Sequence, residues 1–182
     1  MHPALLYIPG DKLSRAELCA ARLDGDVIDL ADAYLVTDTA ETPAARAAAL
    51  APTIPAHSVV MASAAAWIYG ARMSAPTVIH LDRRTRLRAD SGVRLRLHDT
   101  TIPAAEVIRF GAVAVTTPER TLADLARLGS AEPALWDWAE DLLAAEGEDL
   151  ASRALELLRA SGRSPYKRNG VAFLEQHIAM TR

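Results

Sequence analysis

An α+β fold, with strands gathered before and through the middle of the chain and helices filling its last third, follows from three patterns. Residues 93–98 alternate apolar Val93, Leu95 and Leu97 with basic Arg94, Arg96 and His98, the period-two signature of a strand. Helix starts are punctuated by Ser14 with Glu17 three residues on, by Thr42-Pro43 and by Thr117-Pro118. From Glu119 onward the apolar spacing is helical almost without interruption. The predicted architecture is a small degenerate winged-helix-like N-terminal unit (one helix plus a hairpin), a mixed α/β centre and a helical C-terminal third. The boundary between 42 and 43 gives units of 1–42 and 43–182.

Taken in order, the Ser14–Glu17 capping box predicts a helix over 15–23, closed by Asp24-Gly25. Strands at 27–30 and 34–37 should flank a turn at 31–33. A helix of about nine residues should follow Thr42-Pro43 and stop at Pro52, with 52–55 as connector. The Ala-rich run 63–69 reads as a helix ended by Gly70. Strands are predicted at 77–81 and 93–98, then a hairpin of 106–109 and 112–115 about Phe110-Gly111. Helices over 119–128, 132–145, 149–160 and 169–178 complete the chain.

The run VTTPERTLADLA (115–126) clusters Thr, Glu, Arg and Asp, and its residues have structural work to do. Thr117 can cap the following helix, a contact worth about 1 kcal/mol. Pro118 occupies the first helical position, and Glu119 meets the positive end of the helix dipole. Arg120 and Asp124 are four apart and can pair, while Leu122, Leu125 and Leu128 form an apolar stripe. Trp136 and Trp138 cannot share one helix face, so one is expected in the core and the other at a partner surface or under the preceding loop.

Composition sets the class. The 182 residues are 51% hydrophobic and 24% charged, enough apolar material for a core, but aromatics are only 5%, so Ala, Leu and Val must do most of the packing. A net charge of −3 lacks the strongly basic footprint of a nucleic-acid binder, yet the charge is unevenly distributed. Residues 11–42 carry eight acids (Asp11, Glu17, Asp24, Asp26, Asp29, Asp32, Asp38, Glu41) against three bases. Residues 83–96 carry six arginines against one acid. Guanidinium groups fork onto phosphate or carboxylate oxygens, so Arg83, Arg84, Arg86, Arg88, Arg94 and Arg96 form the candidate nucleic-acid or partner-binding surface. Little aromatic material lies beside them, which argues against base stacking there.

Other chemistries find less support. Cys19 stands alone, the five histidines are scattered without a nucleophile elbow or zinc spacing, and no Gly-rich phosphate loop occurs. Asp24-Gly25-Asp26 places two acids one residue apart, as Mg²⁺-dependent nucleotidyltransferases do, but without their upstream Gly-Ser turn; a helix C-cap suits the sequence better. No catalytic residue, metal or cofactor is expected. The first ten residues lack a basic n-region followed by a long apolar run, and 47–71 is broken by Pro52 and Pro55, so the expectation is a cytoplasmic protein with no membrane span.

Residues 58–128 resemble the AbiEi family, the antitoxin component of AbiE-type (type IV) toxin–antitoxin systems. The likeness rests on SAAAWIYGA (63–71), on strands with basic side chains, and most specifically on VTTPERTLADLAR (115–127). N-terminally, LSRAELCAARLDGDVIDLADAYLVTD (13–38) is similar to a shortened winged helix, as in compact actinobacterial members. The resemblance implies a non-enzymatic regulator that binds operator DNA of its own operon and opposes a nucleotidyltransferase toxin. The N-terminal unit here is acidic and would repel a duplex, so electrostatics moves the DNA-binding expectation to the arginines of 83–96. Two alternatives stay open: a protein-interaction module that has lost DNA binding, and a Mg²⁺-dependent nucleotidyltransferase using Asp24 and Asp26.

Overall fold

The computed structural model describes residues 5–82, 94–147 and 149–181. Within them the chain forms β1 (Leu6–Tyr7), α1 (Arg15–Asp24), β2 (Val27–Leu30), β3 (Ala33–Val36), α2 (Pro43–Leu50), β4 (Val59–Met61), α3 (Ala62–Ile68), β5 (Val78–Asp82) and β6 (Arg94–His98). A 3-10 turn at Ala104–Glu106 leads into β7 (Val107–Phe110) and β8 (Val113–Thr116), followed by α4 (Pro118–Leu128), α5 (Ala134–Glu146), α6 (Asp149–Ala160) and α7 (Lys167–Thr181). The predicted α+β class and the helical C-terminal third are observed.

The N-terminal sheet has the order β1-β3-β2, antiparallel throughout. Its two faces separate by alternation. Leu35, with Ile28 and Leu6 opposite it, turns into the main core together with Leu30 and Ala33. Tyr34 points the other way and packs with Val27 against Leu18 of α1. β3 is therefore buried on both faces, and α1 is a lid on one of them. The capping box forms as predicted: Glu17 N–H donates to the Ser14 hydroxyl and Ser14 N–H to the Glu17 carboxylate. Gly25 closes the helix at φ 84, the left-handed position glycine favours.

The second sheet runs β6-β5-β4-β8-β7, with β4 parallel to β8 and β5 parallel to β6. Two strands carry no signature in the sequence. β1 has two residues and β4 three, too short to show a period, and β4 turns directly into α3 through Ala62 at φ 51. Val60, Leu81 and Val115 lie opposite one another on adjacent strands and enter the core, each fully buried.

α4 is the centre of the helical third and packs against α3, α5, α6 and α7. Leu122 and Leu125 are fully buried, as the stripe predicted. α7 crosses α4 closely at Gly170, where a Cβ would lie 2.9 Å from the Arg127 backbone nitrogen. The two tryptophans divide as expected. Trp138 is in the core, while half-buried Trp136 donates to the Ala126 carbonyl at 3.0 Å, stacks on Phe173 and lies over Gly129.

Candidate nucleic-acid or partner interface

β6 is an edge strand, and its register on β5 sets the layout of the candidate site. His80 lies opposite Arg96 and Leu81 opposite Leu97, so Arg94, Arg96 and His98 share one face and Leu95 and Leu97 the other. The two leucines pack on the main core. Apolar burial on one side thus holds the basic residues out on the other.

The basic face is only partly free. Arg94 is exposed. Arg96 is ion-paired with Glu132, just before α5, and its side chain stays 52% exposed. His98 turns inward: its Nε2 lies 2.9 Å from Nδ1 of His80, and the two rings stack at 5.1 Å. Arg83, Arg84, Arg86 and Arg88 fall between β5 and β6 in sequence and lie outside the described residues.

The sequence does not mark the two histidines as a unit, since eighteen residues separate them and only the parallel register joins them. His80 is buried, and burial first, then His98 and Arg96, pull its pKa down to about 4. His98 is lowered chiefly by burial too, with Asp124 opposing. Both rings are neutral at pH 7, one donating to the other. A histidine whose folded pKa lies below its unfolded value of 6.5 contributes stability that is complete above about pH 6.5 and declines as pH falls towards 4. His80 should thus make unfolding easier by about 2 kcal/mol between pH 6.5 and 5. Urea midpoints measured across that range should fall less steeply for His80→Gln. Equal slopes in both proteins would count against this assignment.

The VTTPERTLADLAR segment is built into the fold. The Thr117 hydroxyl accepts Arg120 N–H at 3.3 Å, and the Thr116 and Thr121 hydroxyls meet at 2.6 Å, both fully buried. Arg120 Nε donates to Asp124 Oδ2 at 2.9 Å, and its other nitrogens reach Glu106 and Thr100. Arg127 donates twice to Asp124 Oδ1, at 2.9 and 2.8 Å. Burial alone would loosen the Arg120 proton, but Asp124 and Glu106 more than offset it and hold the pKa above its ordinary value. Glu119 pairs with Arg153. The polar residues of this motif are thus tied to its own helix or to neighbouring segments.

On the N-terminal unit, the exposed acids Asp11, Glu17, Asp24, Asp26, Asp29, Asp32 and Asp38 give a negative surface. Gly25 between Asp24 and Asp26 is the α1 cap, its N–H aimed at the Ala21 and Arg22 carbonyls. Among the described residues no group of three His, Cys, Asp or Glu side chains could hold a metal ion, and no helix is long and apolar enough to cross a membrane. Cys19 packs 3.6 Å from the Tyr34 hydroxyl.

Comparison with known proteins gives one family. A model of the AbiEi antitoxin C-terminal domain matches residues 58–171, more than half of the chain. The match begins at the residue before β4, takes in the five-stranded sheet and α3 to α6, and ends in α7 just after Gly170. No curated protein matches the chain.

Proposed function

Because the chain belongs to the AbiEi antitoxin family, we propose that it is a non-enzymatic regulator that binds operator DNA and opposes a nucleotidyltransferase toxin. The antitoxin domain itself supports the antitoxin role. The observation that carries the DNA assignment is edge strand β6, which lies inside the matched region and presents Arg94 and Arg96 beside the arginine run of the sequence. Arg83, Arg84, Arg86, Arg88, Arg94 and Arg96 would contact phosphates and set the register of the protein on the duplex. The acidic N-terminal unit opposes a duplex electrostatically, so this reading gives it no phosphate contacts.

An electrophoretic shift with the upstream intergenic DNA tests the proposal. Changing Arg83, Arg84, Arg86 and Arg88 together to Ala should flatten the salt dependence of binding, by about 0.9 in log–log slope for each lost phosphate contact. Tight binding by the quadruple variant with an unchanged slope would remove the arginines from the interface. One observation favours a second reading, a protein-interaction module without DNA binding: Arg96 already has a carboxylate partner in Glu132. Capture of a nucleotidyltransferase encoded beside this protein, with no DNA shift at low salt, would select that reading.

A further inference from the structure

The α6–α7 connector carries cations that the fold leaves unused. Elsewhere in the helical third arginines are matched with carboxylates: Arg127 with Asp124, Arg153 with Glu119, Arg159 with Glu175. Arg163 and Arg168 are exposed, and neither has an ion-pair partner among the described residues. Between them in sequence stands Tyr166, the most exposed large aromatic residue among the described residues, at 48% exposure. Its backbone is left-handed, at φ 59, a conformation that a bulky residue keeps only when its surroundings fix it.

Those surroundings are identifiable. Lys167 Nζ donates to the Arg159 carbonyl at 2.9 Å and to that of Ser161, which staples the connector to the end of α6. Gly170 N–H donates to the Tyr166 carbonyl at 3.1 Å, and Gly170 itself is wedged against Arg127 of α4. The connector is therefore tied to α6 and α4, and it lines an open concavity of about 880 Å³ with Arg163, Pro165, Tyr166 and Arg168 on its walls.

We propose that this connector binds a single-stranded nucleic acid, with Tyr166 as the platform for a base and Arg163 and Arg168 as phosphate contacts. An aromatic face between two unpaired guanidinium groups suits a strand whose bases are free to stack. In a duplex the bases are already stacked on each other, which leaves the tyrosine without a partner. An acidic peptide would satisfy the arginines alone. The arginine run of 83–96 lacks neighbouring aromatics, so the two surfaces differ in chemistry and are separately testable.

The test is fluorescence anisotropy of a short labelled oligo(dT) titrated with the full chain at low salt. Tyr166→Gly, which suits the left-handed backbone and so keeps the fold, should weaken binding about tenfold, while Tyr166→Trp should retain it. Arg163→Ala with Arg168→Ala should lower the salt slope by about 1.4, from roughly 0.7 for each single-strand phosphate contact. In an Arg94→Ala, Arg96→Ala background, where phosphate contacts of the other surface are removed, Tyr166→Gly should still weaken oligo(dT) binding about tenfold. Failure of the chain to bind oligo(dT), unchanged affinity in Tyr166→Gly, or tighter connector-dependent binding of a duplex or an acidic peptide would overturn the proposal.

Discussion

Asp124→Asn should lower the melting temperature by about 10 °C. The side chain is 1% exposed, and one oxygen faces Arg120 while the other takes two bonds from Arg127. Asn keeps the shape but removes the charge, leaving Arg127 buried without an anion and Arg120 with Glu106 alone. Breaking one partner out of a buried ion pair costs about 3–5 kcal/mol, and each kcal/mol moves a domain of this size by about 2–4 °C. Most of the penalty comes from the stranded cation. Arg127→Met in the Asp124→Asn background should therefore recover a substantial part of the loss, a result that ordinary cavity formation would not give. Calorimetric scans of the two variants decide the matter: a shift under about 2 °C for Asp124→Asn would mean the pair is well solvated. Arg120→Ala should likewise affect stability before it affects any binding, because its partners Asp124, Glu106 and Thr100 are all internal.

The sequence made the helix ends readable because capping is local. Ser14 with Glu17, Thr42 with Pro43 and Thr117 with Pro118 each place donor and acceptor within four residues, the last two with a proline-fixed φ, and each marks an observed helix start. The alternation in β6 was readable for the same reason, and so was the i,i+4 pair of Arg120 and Asp124. What stayed hidden depends on tertiary placement. Arg127 is three residues from Asp124 on the same helix, so the pairing itself is local; the burial of both side chains is the tertiary part that spacing does not show. The His80–His98 stack needs the parallel β5–β6 register, and parallel pairing between distant segments leaves no short-range signal. The arginine run is conspicuous by count, whereas the connector at 163–168 holds only Arg163, Lys167 and Arg168 and is set apart by the pairing of the arginines around it.

Arg46→Ala is expected to cost about 3–5 kcal/mol in urea unfolding, for a residue whose neighbourhood in sequence is almost all alanine. Its guanidinium is buried, with a side-chain exposure of 6%, and all three of its nitrogens have acceptors, drawn from three segments. Nε and one terminal nitrogen fork onto Glu41 at 3.2 and 2.8 Å. The other nitrogen donates to the Trp67 carbonyl at 2.7 Å and the Arg72 carbonyl at 2.8 Å, and the group lies over the Trp67 ring at 5.2 Å. It therefore gives the Trp67 carbonyl in the last turn of α3 a donor besides Gly70 N–H, and caps the Arg72 carbonyl beyond the helix, with a positive charge where the dipole favours one. Ala leaves the two carbonyls and the Glu41 carboxylate without these donors and opens a cavity beside Trp67. Arg46→Lys keeps the charge but cannot fork onto Glu41 while reaching both carbonyls, so it should recover only part of the stability. The loss should also be directional. α2 packs on β1 and β3 on one side and on α3 on the other, so loosening Arg46 weakens the seam between the N-terminal sheet and the matched antitoxin domain. Limited proteolysis of Arg46→Ala should then cut first within 37–58, ahead of cleavage in α4 to α7. Wild-type resistance there, or an unfolding cost below about 1 kcal/mol, would show that Arg46 does not hold that seam.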